Sequence, residues 1–398
     1  VKMSAPIPAL EMQKSGHPHL AAMYDKIQTS AANKLWHQAT LALEELCKDA
    51  CFSEEGNKDL IALYKEVVAD QPSSASWTGF ASKINPVKHA SLCIRVSLQY
   101  GDSEEGIKSA IAFLEQVGTK LESDTEAYLL VRLEISRRFL QSGKIDVAKS
   151  KLEECKDVLV DFAEIDANVN SSFYLVSSLL HKTLGDAGEF YKSSLLYLAY
   201  TPLESLSEEK RQALAFDLGL AAICAEKIYQ FGELLLHPIL QSLKGTAGEW
   251  MVDLLHTFNK GDIAAFEKVS TENAAAIQQQ PALIGNAQRL REKIRIFALL
   301  ELLRDIPADS RTVSFTPIAE RTKLPEDEVE LLIMKSLSLG IVKGTMSGVD
   351  NTFLVTWVQP RVVDKEAIKK HLVKLSDWME KVQRTSEFLA NETPEIVA

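Results

Sequence analysis

Apolar residues recur at spacings of four and three along most of the chain. Ile107, Ile111, Leu114 and Val117 form one such row, and Phe190, Ser194, Leu195, Leu198 and Ala199 form another. Rows of this period put side chains on one face of an α-helix, so both segments read as amphipathic helices. Gly101, Gly143 and Gly185 end such stretches at intervals of 42 residues, and Gly261 follows 76 residues later, close to two further periods. A period near 40 suits a pair of helices per repeat, with glycine supplying the left-handed stop and the next residues opening the following helix. The spacing predicts a right-handed stack of helical hairpins, a solenoid. If the glycines are ordinary helix stops at coincidental intervals, the region is still all-helical.

After about Arg304 the pattern changes. Thr312–Phe315 is a short strand candidate, and Thr316 with Pro317 opens a short helix to Lys323, with an N-cap residue and a proline at the first helical position. Pro325 starts a second helix whose first turn carries Glu326, Asp327 and Glu328, where the helix dipole favours negative charge. Val329, Leu332, Ile333 and Leu337 form its core face and Gly340 stops it. Two strands follow, Ile341–Met346 and Phe353–Val358, around the turn-rich Ser347–Asn351. With the long helix of about Gln288–Leu303 in front, the order is helix, strand, helix, helix, hairpin. That is the order of a winged helix.

The segment Asp364–Asn391 reads as one long amphipathic helix. Ile368, Leu372, Leu375, Met379 and Val382 follow alternating spacings of four and three, and the row continues through Ser386 to Leu389. This is an a/d seam over about three heptads, and a seam requires cover. Docking onto its own domain and bundling with helices of other chains would both supply it.

Composition narrows the alternatives. Glycine and proline number only 18 and 13 among 398 residues, too few to punctuate a sandwich, barrel or propeller. A hydrophobic share of 46% and a charged share of 25% are ordinary globular values. The expected fold is therefore all-α, with a helical-hairpin solenoid over 1–184, a module over 185–362 and a C-terminal amphipathic helix over 363–398. Within the module, 185–310 is the helical part and 311–362 the winged helix.

A balance of 44 basic against 55 acidic residues, net -11, disfavours nucleic acid and anionic membranes as partners. The second winged-helix helix sharpens this point, since Glu326, Asp327, Glu328 and Glu330 face only Lys335. Inserted in a groove, it would bring its acidic turn against phosphates. No apolar run is long enough to span a bilayer, the longest charge-free stretch being Asn273–Gln288. Val1–Leu10 has no apolar core of a secretory leader, and five cysteines suit reduced thiols of the cytoplasm or nucleus.

Catalytic signatures are missing. The chain contains no phosphate-cradling glycine loop and no nucleophile elbow. His17-Pro18-His19 is similar to the His-x-His of a zinc isopeptidase, but Ile27 and Ser30 stand where that pattern needs serine and aspartate. Cys47 and Cys51 have no second ligand pair at finger spacing, so a structural role is expected. His37 and His237 read as packing or helix-terminus residues. No enzyme, metal or cofactor is expected.

Particular strings carry a family resemblance. Phe216–Glu226, Ile228–Leu240, Glu328–Gly340, Ile341–Gly344 and Thr356–Val362 resemble the PCI-domain lid subunits of the 26S proteasome regulatory particle, as do Asn33–Gln38 and Asn85-Pro86. Close resemblance covers roughly 185–362, whereas Ser53–Asp166 and the turn Met346–Asn351 depart from it. The resemblance implies a scaffold whose winged helix pairs with those of other PCI subunits and whose C-terminal helix joins a common bundle. On that reading Ile368, Leu372, Leu375, Met379, Val382 and Leu389 bind partner helices. Phe353, Leu354, Val355 and Trp357 form a winged-helix edge open to strand addition. The implied partners are other PCI subunits and the deubiquitinating and ubiquitin-receptor subunits of the regulatory particle. A PCI subunit of the signalosome or of initiation factor three is the neighbouring alternative, and a nucleic-acid-binding winged helix a remoter one.

Overall fold

Left-handed backbone at Gly101, Gly143 and Gly185, with φ of 78°, 76° and 77°, lies at the ends of three helices spaced as the sequence predicts. A side chain is strained in this region and glycine is not, which is why glycine marks these stops. The computed structural model describes residues 20–33, 35–46, 61, 64, 83–162, 165–306, 311–361 and 365–392. The chain divides into two compact units, Val1–Ser205 and Leu206–Ala398.

In the first unit the helices are α1 (Ala21–Ala32), α2 (Trp36–Leu46), α3 (Pro86–Leu98), α4 (Glu104–Lys120), α5 (Thr125–Gln141), α6 (Ile145–Asp161), α7 (Ala167–Leu184) and α8 (Ala187–Tyr200). After two of the glycine stops a capping side chain starts the next helix. Ser103 Oγ accepts from Gly106 N at 3.1 Å, and Asp186 Oδ1 accepts from Gly188 N at 3.0 Å. Helix α5 packs against α3, α4, α6 and α7 and buries Leu129, Leu130, Val131, Leu133 and Ile135. A helix apolar on so many sides belongs at the centre of its layer. At its C-terminal end Arg138 is also buried, held by Asp102 Oδ1 at 3.2 Å, Gln141 Oε1 at 3.0 Å and Glu134 Oε1 at 3.3 Å.

The compact division falls at 205, whereas a boundary at 184 was expected. Gly185 turns the chain inside the α7 and α8 hairpin, whose two helices pack directly on each other.

The second unit begins with α9 (Glu208–Cys224), α10 (Gly232–Leu236), a 3-10 segment (Pro238–Leu243), α11 (Glu249–Lys260), α12 (Ile263–Glu272), α13 (Ala274–Gln278), α14 (Pro281–Gly285) and α15 (Ala287–Asp305). The last of these is its axis. Ile294, Ile296, Phe297, Ala298, Leu299 and Leu300 are all buried, and the Phe297 ring lies 4.9 Å from that of Phe231. Helix α11 approaches so closely that a Cβ on Gly261 would stand 2.7 Å from Ala298 Cα, and Gly261 itself has φ 60°. Two separate constraints thus select glycine there.

The winged helix follows as β1 (Thr312–Ser314), α16 (Phe315–Thr322), α17 (Glu326–Ser338), β2 (Val342–Ser347) and β3 (Thr352–Val358), with α18 (Lys365–Glu392) behind it. Helix α16 starts two residues before the expected Pro317, because Phe315 is buried and its N–H is taken by Asn351 O at 2.9 Å. Pro317 then sits in a first turn that needs no donor from it. Strand order is β1-β3-β2, antiparallel throughout. The β3 strand carrying Phe353, Leu354, Val355 and Trp357 is therefore central, not an edge. Thr312, Val313 and Ser314 pair with Leu354, Phe353 and Thr352 and close that side. The longer free edge belongs to β2.

Candidate interaction surfaces

Every residue of α18 whose side chain is described is exposed. Ile368, Leu372, Leu375, Met379, Val382 and Leu389 range from 49% to 64% exposed, so no part of the described protein covers the seam. On a straight helix a heptad row drifts about 20° per repeat, which turns this line gradually around the axis. Trp378, at 65% exposure, falls beside the later part of the row and widens it. The strict a/d pattern missed that residue. Polar faces of the same helix are internally paired, with Arg384 to Glu380 at 3.3 Å and Gln383 to Glu387 at 3.1 Å. The helix can thus stand in water on one side and lacks only an apolar neighbour on the other.

Three of the four winged-helix candidates divide by strand alternation. Phe353 and Val355 point into the core and Leu354 is 44% exposed, as alternation requires, whereas Trp357, 41% exposed, departs from it because the β2–β3 register shifts between Lys343 and Gly344. Lys343 Nζ lies 5.2 Å from the Trp357 ring centre, so part of this face is already shielded by a cation. On α17 Leu331 and Met334 are exposed one turn apart beside the acidic first turn. Helical periodicity assigns those two to the outer face without saying what they meet. Lys335 is engaged by Glu292 on α15, so the outer face of α17 stays acidic.

What fixes the winged-helix surface is an assembly around α15. Arg361 donates to Asn259 O and Oδ1, each at 2.6 Å, and to Glu301 Oε2 at 3.2 Å, with its guanidinium over the Phe297 ring. Gln230 Nε2 donates to Pro360 O at 2.7 Å. The string Trp357–Arg361 is therefore the clamp that seats the end of β3 on α11 and α15. Lys293, unremarked in the sequence, is buried and donates to the carbonyls of Ala222, Ile223 and Ala225 at 2.8, 3.1 and 2.6 Å. It closes the C-terminus of α9, where carbonyls lack helical partners. Burial pushes its ammonium down to about 7, against the hold of those carbonyls and of the Tyr229 and Phe231 rings.

Of the remaining chemical candidates, His237 takes a structural place. His237 Nδ1 accepts from Ile239 N at 3.2 Å at the head of the 3-10 segment, and burial lowers its pKa. His37 is exposed. Cys93 and Cys155 are buried thiols pushed up to about 12 and about 11 by desolvation, the opposite of an activated nucleophile. His17, His19, Cys47 and Cys51 lie outside the described residues. Among the described residues no three His, Cys, Asp or Glu side chains are placed to hold a metal, and no helix is long and apolar enough to cross a membrane.

Comparison with known proteins agrees with this architecture. Residues 23–255 match the family described as PSD13 N-terminal repeats, and residues 270–357 match the PCI domain. The chain is 39% identical to the 26S proteasome non-ATPase regulatory subunit 13 homolog B of Arabidopsis thaliana, over 98% of each chain. It is 36% identical to the 26S proteasome non-ATPase regulatory subunit 13 of Dictyostelium discoideum, over 99% of each. Identity to the 26S proteasome regulatory subunit RPN9 of Saccharomyces cerevisiae is 28%, over 94% of this chain and 93% of that one. Similarity to initiation factor 3 subunit M is weaker, at 21% over 74% of this chain. Carrying both the repeats and the PCI domain, and matching these relatives from end to end, the chain belongs to the family of 26S proteasome non-ATPase regulatory subunit 13.

Proposed function

We propose that the protein is a non-catalytic scaffold subunit of the 26S proteasome lid, supporting degradation of ubiquitinated proteins by holding other subunits in place. The observation that carries this reading is the uncovered seam of α18, in a chain whose relatives are named as proteasome regulatory subunits. Residues 363–398 would act as the bundle helix and 311–362 as the module that pairs with a neighbouring winged helix. In that pairing the free edge of β2, together with Leu354 and Trp357 on the sheet face, would meet the neighbour. Repeats in 1–184 would face the deubiquitinating and ubiquitin-receptor subunits. Cytoplasm and nucleus follow as the compartments of such a complex.

The test is recovery of the complex. Removing residues 364–398, or placing Leu372→Asp with Leu375→Asp, should abolish co-purification with the lid while leaving helical content nearly intact. Burying each leucine contributes about 1.5–3 kcal/mol, and an unpaired buried carboxylate costs several more, so the double variant has no way to keep the contact. Normal co-purification would rule the seam out as the assembly element.

A further inference from the structure

The charge-free stretch Asn273–Gln288, which plays no part in the surfaces above, forms one wall of a cavity in the second unit. The cavity has a volume of about 650 Å³ and lies among α11, α12, α13, α14 and α15. Leu254, Phe266, Ile277, Leu283, Leu290 and Ile294 give it an apolar interior. The charge-free wall is built of two short helices, α13 and α14, of five residues each. The other wall is α15, which brings Arg291 and Arg295 to the same space.

These two arginines differ from the other charged residues near them. On the same helix Arg289 pairs with Glu226 at 2.8 Å, Arg304 with Glu301, and Glu292 with Lys335. Glu267, the carboxylate lining the cavity, is taken by Lys323 at 3.2 Å. Among the described residues Arg291 and Arg295 have no carboxylate partner, in a chain where acidic residues outnumber basic ones by 55 to 44. Spaced i, i+4, they repel one another mildly, and an anionic partner would relieve that repulsion.

We propose that this cavity receives an anchor from a neighbouring subunit: a helical segment with one or two large apolar side chains and two carboxylates one turn apart. The apolar side chains fill the chamber while the carboxylates take the two guanidiniums. Two arginines one helical turn apart match two carboxylates at the same spacing on a facing helix, each capable of a charge-assisted pair. A fatty acid offers a single carboxylate and balances only one of the two positive charges. The proposal rests on the reading of the chain as a subunit of a larger complex and names the chemistry of one partner.

Photo-crosslinking within the assembled complex tests it. The full chain carries p-benzoylphenylalanine at Ala287, an exposed position lining the cavity, or at Ala274 opposite it, and the crosslinked segment is sequenced by mass spectrometry. The expected product is a segment of another subunit with two carboxylates within one turn of a large apolar residue. Arg291→Glu with Arg295→Glu should lower its yield about tenfold or more, equivalent to roughly 1.4 kcal/mol, with the complex still recovered. Retention of the crosslink in the Arg291→Lys, Arg295→Lys chain would add support. A segment without carboxylates, a yield indifferent to charge reversal, a lipid adduct, or no crosslink within a recovered complex overturns the proposal. If the unsubstituted chain brings down no complex, the subunit reading fails first and takes this proposal with it.

Discussion

Helices α15 and α18 are the two longest described helices of the second unit, and they meet opposite fates. Along α15 the apolar residues from Leu290 to Leu303 are buried apart from the half-buried Leu302, and even a lysine is drawn inside and matched by three carbonyls. Along α18 an equally regular apolar row stands in solvent. The patterns differ in breadth. Ile296, Phe297, Ala298, Leu299 and Leu300 leave the middle of α15 apolar nearly all round, which is the signature of a stretch enclosed by its own chain. Helix α18 gathers most of its apolar residues into one stripe, with Val373 and Phe388 outside it, and a single neighbouring layer can cover that stripe. Self-sufficiency and assembly are thus written in the same alphabet, distinguished by how much of the helix circumference is apolar.

Substitutions on the two helices should therefore separate stability from assembly. The largest effect belongs to α18, where Leu372→Asp with Leu375→Asp should eliminate incorporation into the complex and leave the melting temperature of the isolated chain unchanged. On α15, Phe297→Ala should do the reverse first, destabilising the isolated chain by about 3–5 kcal/mol in denaturant melts. Lys293→Met should cost roughly 3 kcal/mol, since it leaves the carbonyls ending α9 without donors.

The same variant has a pH signature. Lys293 releases its proton near 7 in the fold but near 10.5 when exposed, so between those values the unfolded chain holds the extra proton. Stability then rises with pH above about 7, with the cost of burying the charge fully present below it. Melts at pH 7 and 9 should show this rise in the natural chain and lose it in Lys293→Met. The smallest effect is expected at Arg384→Ala on the polar face of α18, at most about 0.5 kcal/mol, because an exposed i, i+4 pair contributes little.

Much of this was legible in the sequence because it is local. Glycine stops, the first-turn carboxylates of α17 and the heptad row all depend on residues within a few turns of one another. The order of the winged helix was likewise readable. The position of β3 was not, since its middle place depends on a three-residue strand pairing from about 40 residues away. Lys293 escaped notice for the same reason, its acceptors lying 68 to 71 residues earlier in the chain. Leu331 and Met334 were visible as outward positions on a helix, but periodicity describes a face and not its neighbour. Trp378 lay off the strict heptad, and only exposure revealed that it extends the same surface.

Hydrogen exchange across 365–392, measured in the isolated chain and in the assembled complex, tests the central claim most directly. Amides of α18 should exchange rapidly in the isolated chain, whose seam has no cover, and become strongly protected on assembly. The helix α15 should be protected in both. Equal exchange of α18 in the two states would contradict the assignment of this helix as the element through which the protein joins its partners.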